Sequence, residues 1–359
     1  MEPAATRAPF PGLLPVAPFA VLALLLATLL AACTPAARPG NAAPPPGAGL
    51  VWPAPPAPAR LEYVRSFSRL EDFGLHRPWY RRLADWITGR DTLHFVRPTD
   101  VLRTAAGVYY VADPGSRGVH RLDPDQARHR LIRRRGGRPL PSPVGLAADT
   151  RGRVYVTDSA LGQVYTIEPG SRYAQAWPTD APLQRPTGIA LGPGDGRVYV
   201  CDTLAHRIRI FDREGRLLRD LGRRGEGEGE FNFPTMIRVD PEGRLLVADS
   251  LNFRIQIFAP DGSFLGSFGH HGDATGDMAR PKGVAADADG HIYVVDSIFH
   301  AVQVFDEGGA FLLNVGSQGH GPGEFWLPTG IFITAGGAVY VADSHNHRVQ
   351  VLRYLGGRP

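Results

Sequence analysis

The 359-residue sequence has almost no lysine and almost no cysteine. Lys282 is the only lysine among 39 basic residues, so nearly all positive charge is carried by arginine. Arginine in place of lysine, with 43 glycines and 33 prolines, is typical of a GC-rich genome more than of a surface selected for nucleic acid. The formal net charge of +4 is modest. We therefore expect no nucleic-acid partner.

Cysteine occurs only at positions 33 and 201. Once Cys33 is modified as described below, one thiol is left, which excludes an intramolecular disulfide in a monomer. Cys201 occupies a repeat position that elsewhere holds Ala112, Thr157, Ala248, Val295 or Ala342. Since these residues are small or of modest size, we interpret Cys201 as a packing residue and not a nucleophile.

Several catalytic patterns are also missing. There is no Gly-x-Ser-x-Gly elbow, no pair of carboxylates at a telling spacing and no phosphate-binding loop followed by a helix. The sequence thus predicts no cofactor and no metal, and it favours a protein that is not an enzyme.

The apolar run from Phe19 to Ala32 is short for a membrane span and ends in Leu30-Ala31-Ala32-Cys33. This pattern resembles the lipobox of bacterial lipoproteins. The resemblance implies a signal peptide over residues 1–32, a diacylglyceryl group on Cys33, and an address in the cell envelope, at the outer membrane facing the periplasm. An uncleaved anchor is the alternative, because the segment before the run carries only Arg7 against Glu2.

Residues 33–59 are rich in proline and alanine and predict a tether that holds the remaining chain away from the bilayer. Residues 60–69 alternate as a strand does. Farther on, Trp79, Leu83, Trp86 and Ile87 recur at helical spacing within residues 78–88. That pattern predicts one short helix, which packs either on the folded domain or on lipid.

Most of the chain consists of six repeats. Opening prolines at positions 98, 143, 186, 234, 281 and 328 recur at steps of 43 to 48 residues, and aspartates at 113, 158, 202, 249, 296 and 343 keep the same register. Each repeat contains alternating strands and tight glycine turns. Such periods predict a β-propeller. We assign repeats near 98–140, 141–183, 184–231, 232–278, 279–325 and 326–354 within one domain, residues 60–359.

The pattern of a Pro-Thr-Gly opening followed by Tyr-Val-Ala-Asp-Ser-x-Asn-x-Arg resembles the NHL repeat, a family of six-bladed propellers. The resemblance implies an all-β, six-bladed fold. Because the last repeat stops after three strands, we predict that Leu61 to Phe67 supplies its outer strand and closes the ring. Propellers of this kind serve as enzymes, sensors and binding modules alike.

We interpret the recurrent Asp and Arg residues as parts of the turns between strands and not as a binding site. An Asp that ends one strand and an Arg that begins the next can bond each other and the turn between them. The residues assigned to these turns are Asp202, Arg207, Asp249, Arg254, Asp296, Asp343 and Arg348. His206, His300 and His347 recur at one repeat position, and because equivalent positions on different blades lie on a wide circle, we predict no metal site there.

Residues that break the repeat are the candidates for binding. We predict a ligand or partner surface on the face that carries the glycine-rich loops, made by Phe233, Arg280, Lys282, Trp326, His320 and His345. The expected function is that of a non-catalytic, monomeric propeller, lipid-anchored through Cys33, that binds a protein, a peptide or an envelope glycan.

Two alternatives stay open. One is an exported lyase or lactonase with chemistry in the channel. The lyases that this fold resembles carry zinc-binding histidines near their inner strands, whereas none of the residue pairs after the opening prolines here contains histidine, and only Asp100 is acidic. The other alternative is a scaffold within an export or surface-polymer assembly.

Overall fold

The computed structural model describes residues 49–74, 94–194 and 196–356. In this range the chain is an all-β, six-bladed propeller, which confirms the predicted fold class. The predicted signal peptide, Cys33 and the short helix over residues 78–88 lie outside the described residues. Besides strands, the described chain contains short 3-10 turns at Leu70–Phe73, Arg135–Gly137, Thr203–Ala205 and Ser344–Asn346.

The strands follow the repeats in order. Two strands precede the first repeat: β1 (Val51–Trp52) and β2 (Leu61–Phe67). Blade one comprises β3 (Asp100–Arg103), β4 (Tyr109–Asp113), β5 (Gly118–Asp123) and β6 (Arg128–Arg134). Blade two comprises β7 (Pro143–Ala148), β8 (Val154–Asp158), β9 (Gln163–Ile167) and β10 (Tyr173–Ala176). Blade three comprises β11 (Pro186–Leu191), β12 (Val198–Asp202), β13 (Arg207–Phe211) and β14 (Leu217–Leu221).

The second half of the ring repeats this arrangement. Blade four comprises β15 (Pro234–Val239), β16 (Leu245–Asp249), β17 (Arg254–Phe258) and β18 (Phe264–Phe268). Blade five comprises β19 (Pro281–Ala286), β20 (Ile292–Asp296), β21 (Ala301–Phe305) and β22 (Phe311–Val315). Blade six contains β23 (Ile331–Ile333), β24 (Ala338–Asp343) and β25 (Arg348–Tyr354).

The first strand of each blade lies at the centre of the ring. Each inner strand contacts the inner strand of the next blade, and β23 contacts β3, so the ring closes on itself. Six hydrophobic clusters fill the spaces between blades, one at each junction of neighbours. We call the face that carries the turns between second and third strands the upper face. The loops that lead into each first strand open on the same face.

The predicted ring closure is confirmed. Strand β2 pairs antiparallel with β25, from Leu61 opposite Tyr354 to Phe67 opposite Val349. It thus provides the fourth strand of blade six and covers an edge that would otherwise be open.

One boundary of the predicted tether needs correction. The composition suggested a tether through residue 59, but β1 at Val51–Trp52 pairs antiparallel with β2 and forms a fifth strand of the sheet. The side chains of Leu50 and Trp52 pack against the core between blades five and six. Burial of these apolar groups holds a segment that its proline content alone marked as extended.

Blades one and two are joined at their outer edges. Strand β10 pairs in parallel with β6, with Tyr173 opposite Arg133 and Ala174 opposite Arg134, so the two blades form one eight-stranded sheet. Blades three, four and five are separate four-stranded sheets.

Glycine two positions after the opening proline allows the inner strands to approach closely. A Cβ built on Gly145 would lie 2.3 Å from the carbonyl oxygen of Thr187, and one on Gly330 would lie 2.5 Å from that of Thr99. Side chains larger than hydrogen therefore have no room at these two positions. The same position holds Asp100 in blade one and Met236 in blade four.

In the described part of the chain, no helix has the length and apolar character needed to cross a membrane.

Candidate functional site

The recurrent aspartates fix the loops of the upper face. Asp202 accepts hydrogen bonds from the backbone N–H of Gln184 and Arg185, the latter at 2.9 Å. Asp296 does the same for Ala279 and Arg280, both at 2.8 Å. All six of these carboxylates are fully buried. Each therefore sets the position of the residues that precede the opening proline of its own blade.

The predicted Asp and Arg turns form in two blades. Arg254 Nε donates to Asp249 Oδ2 at 3.0 Å, and Arg348 Nε donates to Asp343 Oδ2 at 2.8 Å. Both guanidinium groups also donate to carbonyls of the loop leading into the same blade, as Arg254 does to Glu230.

Blade three differs from this prediction, and blade five, for which no arginine is predicted, uses other donors. Arg207 pairs with Asp220 on the neighbouring strand at 2.6 Å and not with Asp202, which instead has Arg209 Nε at 3.8 Å. Arg209 lies two residues farther along β13, on the same face of the strand as Arg207. It occupies the repeat position of Gln256, which in blade four likewise contacts the recurrent aspartate. In blade five, Ala301 occupies the arginine position, and Asp296 is satisfied by backbone N–H groups.

Hydroxyl groups link blades three, four and six to the next blade on the upper face. Thr203 and Ser250, which directly follow the recurrent aspartates, donate to the carbonyls of Pro234 at 2.8 Å and Pro281 at 2.6 Å. Ser344 makes the equivalent contact to Pro98. In these three blades the aspartate organises its own blade and the hydroxyl joins it to the next. Ser159 and Ser297 instead contact carbonyls of their own blades.

The recurrent histidines also lie at blade boundaries. His206 Nδ1 accepts the N–H of Phe233 at 3.3 Å, and His300 Nδ1 accepts that of Leu327 at 3.0 Å. His347 contacts the carbonyl of Val96. Among the described residues, no three His, Cys, Asp or Glu side chains are grouped so that they could hold a metal ion.

Cys201 is fully buried, and burial raises the pKa of its thiol. A thiol held protonated inside a hydrophobic cluster packs as a small apolar side chain.

At the centre of the upper face the ring opens into a cavity of about 480 Å³, which we call the upper mouth. Its charged lining is entirely basic within the described chain, and the remaining polar side chains carry hydroxyl groups. The basic residues are Arg97, Arg185, Arg280, Lys282 and His345; the hydroxyl-bearing ones are Thr99, Ser142, Ser159, Thr187, Thr235, Ser297, Thr329 and Ser344.

Lys282 is the least exposed basic residue of the mouth. Burial, together with the charges of Arg280 and Arg185, lowers its pKa from 10.5 to about 8. None of the described residues offers its ammonium group a hydrogen bond or an ion pair. The site therefore holds a cation without the partner that a half-buried charge ordinarily has.

The six predicted binding residues lie in two places on the upper face, except for Phe233, which lies in neither. Arg280, Lys282 and His345 line the upper mouth. Trp326, 38% exposed, lies edge-on to His320 at 4.8 Å between ring centroids and 6.1 Å from His345, so an aromatic patch adjoins the mouth. Phe233 is half-buried against His206 at 4.4 Å and lies outside both groups.

An ion pair closes the channel below the mouth. Arg238 of blade four extends to Asp100 of blade one, the opposite blade, and its Nη2 donates to Oδ1 at 2.7 Å and to Oδ2 at 2.8 Å. Asp100 is fully buried and also accepts the N–H of Leu146 at 2.8 Å. Burial raises the pKa of Asp100, and the guanidinium of Arg238 opposes this shift.

Sequence reasoning missed this pair, although both residues break the repeat. Asp100 replaces glycine, and Arg238 occupies a position held by alanine in blades two, three and five. Only the ring geometry shows that they meet.

Below the ion pair lies a second cavity of about 560 Å³, at the lower face of blades one to three. Its lining mixes both signs of charge, with Arg103, Arg121, Arg151 and Arg238 beside Asp149, and is otherwise largely apolar. The lower cavity is larger, but the upper mouth is the better candidate, because its cations share one sign and have no described partners.

Blade one contains a Ser, His and Asp in mutual contact. His120 Nε2 lies 3.0 Å from Ser116 Oγ and 3.2 Å from Asp113 Oδ2, while Ser116 Oγ donates to the same carboxylate at 2.8 Å. Ser116 and His120 occupy the repeat positions of Asn252 and Gln256, which saturate Asp249 in blade four. The cluster is thus the local form of the aspartate turn, with the hydroxyl directed to the carboxylate.

Comparison with known proteins agrees with this architecture. Residues 190–267 and 283–354 match a family model described as a 6-bladed beta-propeller. The peptidyl-glycine alpha-amidating monooxygenase of Mus musculus is 29% identical over 134 residues, which cover 33% of this chain and 14% of the mouse protein. The gluconolactonase of Zymomonas mobilis is 28% identical over 161 residues, covering 38% of this chain and 44% of the enzyme. The chain thus spans less than half of these curated relatives.

Solved structures share the fold at low identity. A streptogramin B lyase superposes with a TM-score of 0.55 at 13% identity, covering 72% of this chain and 94% of the lyase. An auxiliary nutrient binding protein from Bacteroides thetaiotaomicron gives 0.59 at 12% identity, covering 74% and 71%. Similar proteins therefore include both enzymes and binding proteins on one scaffold.

Proposed function

We propose that this protein is a non-catalytic binding propeller, tethered to a membrane through a lipid on Cys33, whose upper face takes a protein or peptide partner or an envelope glycan. The observation that carries the proposal is the upper mouth: a concave, basic, hydroxyl-lined surface whose cations have no described partners. Charged groups without partners in a concave site favour a ligand that supplies them.

The aromatic patch adds a second kind of contact. Trp326 is exposed beside His320 and His345 at the edge of the mouth. Exposed tryptophan and arginine side chains are common anchors of interfaces, because each buries a large area when a partner docks.

The channel supports binding over catalysis at this face. Asp100, the one acidic side chain after the opening prolines, is fully buried and held by Arg238 through both oxygens. A carboxylate in that state is a poor general base, because its lone pairs already accept charge-assisted hydrogen bonds. An exported lyase or lactonase is the second candidate, favoured by the likeness to a streptogramin B lyase and a gluconolactonase.

Two experiments test the proposal. Replacement of Cys33 by serine is expected to leave the protein unprocessed or to release it from the membrane fraction. If Cys33→Ser matures normally and still floats with outer membrane, the lipid anchor is wrong.

Affinity capture from detergent-solubilised membranes tests the binding face. The alanine variant of Phe233, Arg280, Lys282 and Trp326 is expected to lose the partner that the parent captures, since truncation of an anchor costs about 2 kcal/mol or more. Arg151→Ala, on the lower face, serves as the control. Capture that survives the quadruple change but fails with Arg151→Ala would assign the partner to the lower face.

A further inference from the structure

The arginines of the upper mouth alternate around the ring. Arg97, Arg185 and Arg280 each directly precede the opening proline of blades one, three and five. The same position in blades two, four and six holds Ser142, Phe233 and Leu327. Three guanidinium groups therefore surround the mouth at every second blade.

The backbone of each arginine is fixed. Arg97 N–H donates to Asp113 at 2.9 Å, Arg185 N–H to Asp202 at 2.9 Å, and Arg280 N–H to Asp296 at 2.8 Å. The side chains themselves are exposed and have no hydrogen bond or ion pair with any part of the chain that the structure describes. A fixed backbone under a free charged group is a form of preorganisation, because binding then orders only the side chain.

Lys282 lies deeper than the arginines, one residue after an opening proline. The other five repeats have threonine or valine there, as in Thr187 and Thr235. Arg280 and Arg185 are near enough for their charges to lower the pKa of Lys282. Among the described residues, no carboxylate lines the upper mouth. The recurrent aspartates that fix its loops are fully buried and engaged by backbone N–H groups.

We propose that the upper mouth binds a small organic anion with two or more negative groups, one held by Lys282 and the others by the rim arginines. This inference rests on the proposed function, because it names the ligand class for the mouth of the same binding face. The volume of about 480 Å³ is within the range of small-molecule sites. The guanidinium fork matches carboxylate and phosphate oxygens alike.

The layout of the rim favours a ligand with more than one negative group. The arginines belong to alternate blades, a third of the ring apart, so a single carboxylate beside Lys282 is not expected to contact all three. A ligand with several acidic groups satisfies the deep ammonium and at least one rim guanidinium at once. It also relieves the mutual repulsion of Lys282, Arg280 and Arg185.

Calorimetric titration of the full chain in detergent at low ionic strength tests the inference. Citrate and inorganic pyrophosphate are the probes, and acetate is the control with a single charge. Citrate or pyrophosphate is expected to bind at one site per chain, with acetate giving no saturable heat at the same concentration. Tighter binding of citrate indicates a carboxylate ligand, and tighter binding of pyrophosphate indicates a phosphate ligand.

Variants assign the bound anion to the mouth. Lys282→Met and Arg185→Gln are each expected to weaken binding about tenfold or more, while Arg151→Gln on the lower face leaves it unchanged. For citrate, affinity should fall as pH rises from about 7 to about 9 in the parent but not in Lys282→Met, because the rim arginines keep their charge over this range.

Three results would overturn the inference: acetate binding as tightly as citrate, no binding of either probe, or loss of binding with Arg151→Gln alone. If neither probe binds while the quadruple alanine variant loses its captured partner, the ligand class is wrong and the binding face stands. If citrate binds but capture is unaffected by the quadruple change, the proposed partner face is wrong and the anion site stands.

Discussion

Replacement of Asp100 by asparagine should destabilise the ring more than any other single change at the channel. Asn has nearly the volume of Asp and can still accept the N–H of Leu146, which now bonds to Asp100 Oδ2 at 2.8 Å. It cannot carry the negative charge that Arg238 now contacts through both oxygens. The variant therefore leaves a guanidinium with only 12% exposure and no counter-charge.

The expected loss is about 3 to 5 kcal/mol, the usual cost of removing one partner from a buried ion pair. For a domain of this size that corresponds to a fall in melting temperature on the order of 10 °C. Arg238 keeps weaker bonds to the carbonyls of Ile189 at 3.4 Å and Ile331 at 3.3 Å, which limit the loss without replacing the charge. Asp100→Asn combined with Arg238→Met should recover part of the stability, because no unpaired charge is then left in the channel.

Urea unfolding followed by tryptophan fluorescence measures these changes. Asp212→Asn, which breaks an exposed pair with Arg216 at 2.7 Å, is the control and should leave the midpoint unchanged. Equal midpoints for Asp100→Asn and this control would refute the reasoning, since the ion pair would then not hold opposite blades together. The reasoning is also refuted if the double variant loses more unfolding free energy than the summed losses of Asp100→Asn and Arg238→Met.

Three further predictions follow from the ring. Deletion of residues 60–69 exposes the outer edge of β25 and should lower the calorimetric midpoint and increase light scattering; melting like the parent would contradict the closure. Lys282→Met should stabilise the protein at about pH 7, and the gain should fade as pH rises from about 8 toward 10.5, because the parent loses an unfavourable buried charge over that range; a gain independent of pH argues against this cause. Gly330→Ala should cost about 1 to 3 kcal/mol, since its Cβ would lie 2.5 Å from the carbonyl of Thr99. Gly266→Ala, whose Cβ meets nothing within 4 Å, should unfold at the parent midpoint.

Local pattern was sufficient for the parts of the fold that repeat. The opening prolines and recurrent aspartates located all six blades, and the missing strand of the last repeat identified Leu61 to Phe67 as its complement. These features are visible in sequence because each blade meets the same packing requirement, and the same residue types recur to meet it.

The features that sequence did not reveal depend on contacts across the ring. Asp100 and Arg238 are 138 positions apart, and each appears alone as a break in its own repeat. Arg207 sits where the repeat has its paired arginine, yet Asp220 on the adjacent strand provides a nearer carboxylate. The repeat pattern predicts partners at equivalent positions of every blade. The partners found here depend instead on which side chains of other strands lie opposite in the folded ring.

The candidate site shows the same division. Arg280 and Lys282 belong to the predicted binding surface, and both line the upper mouth. Arg97 and Arg185 line it as well and occupy the same repeat position as Arg280, but the predicted surface does not include them. Comparison of that one position across all six repeats would have shown the alternation.

The strand that completes blade six imposes an order on assembly. Glu62 and Arg353 are bonded across the closing pair, yet they are separated by 291 positions in the chain. Until β25 is available, the early strand has no edge to join, and blades one to five have no neighbour to complete the circle. The ring can therefore close only when β25 (Arg348–Tyr354) pairs with β2, and a chain cut before Arg348 is expected to keep an unpaired strand at each side of the gap.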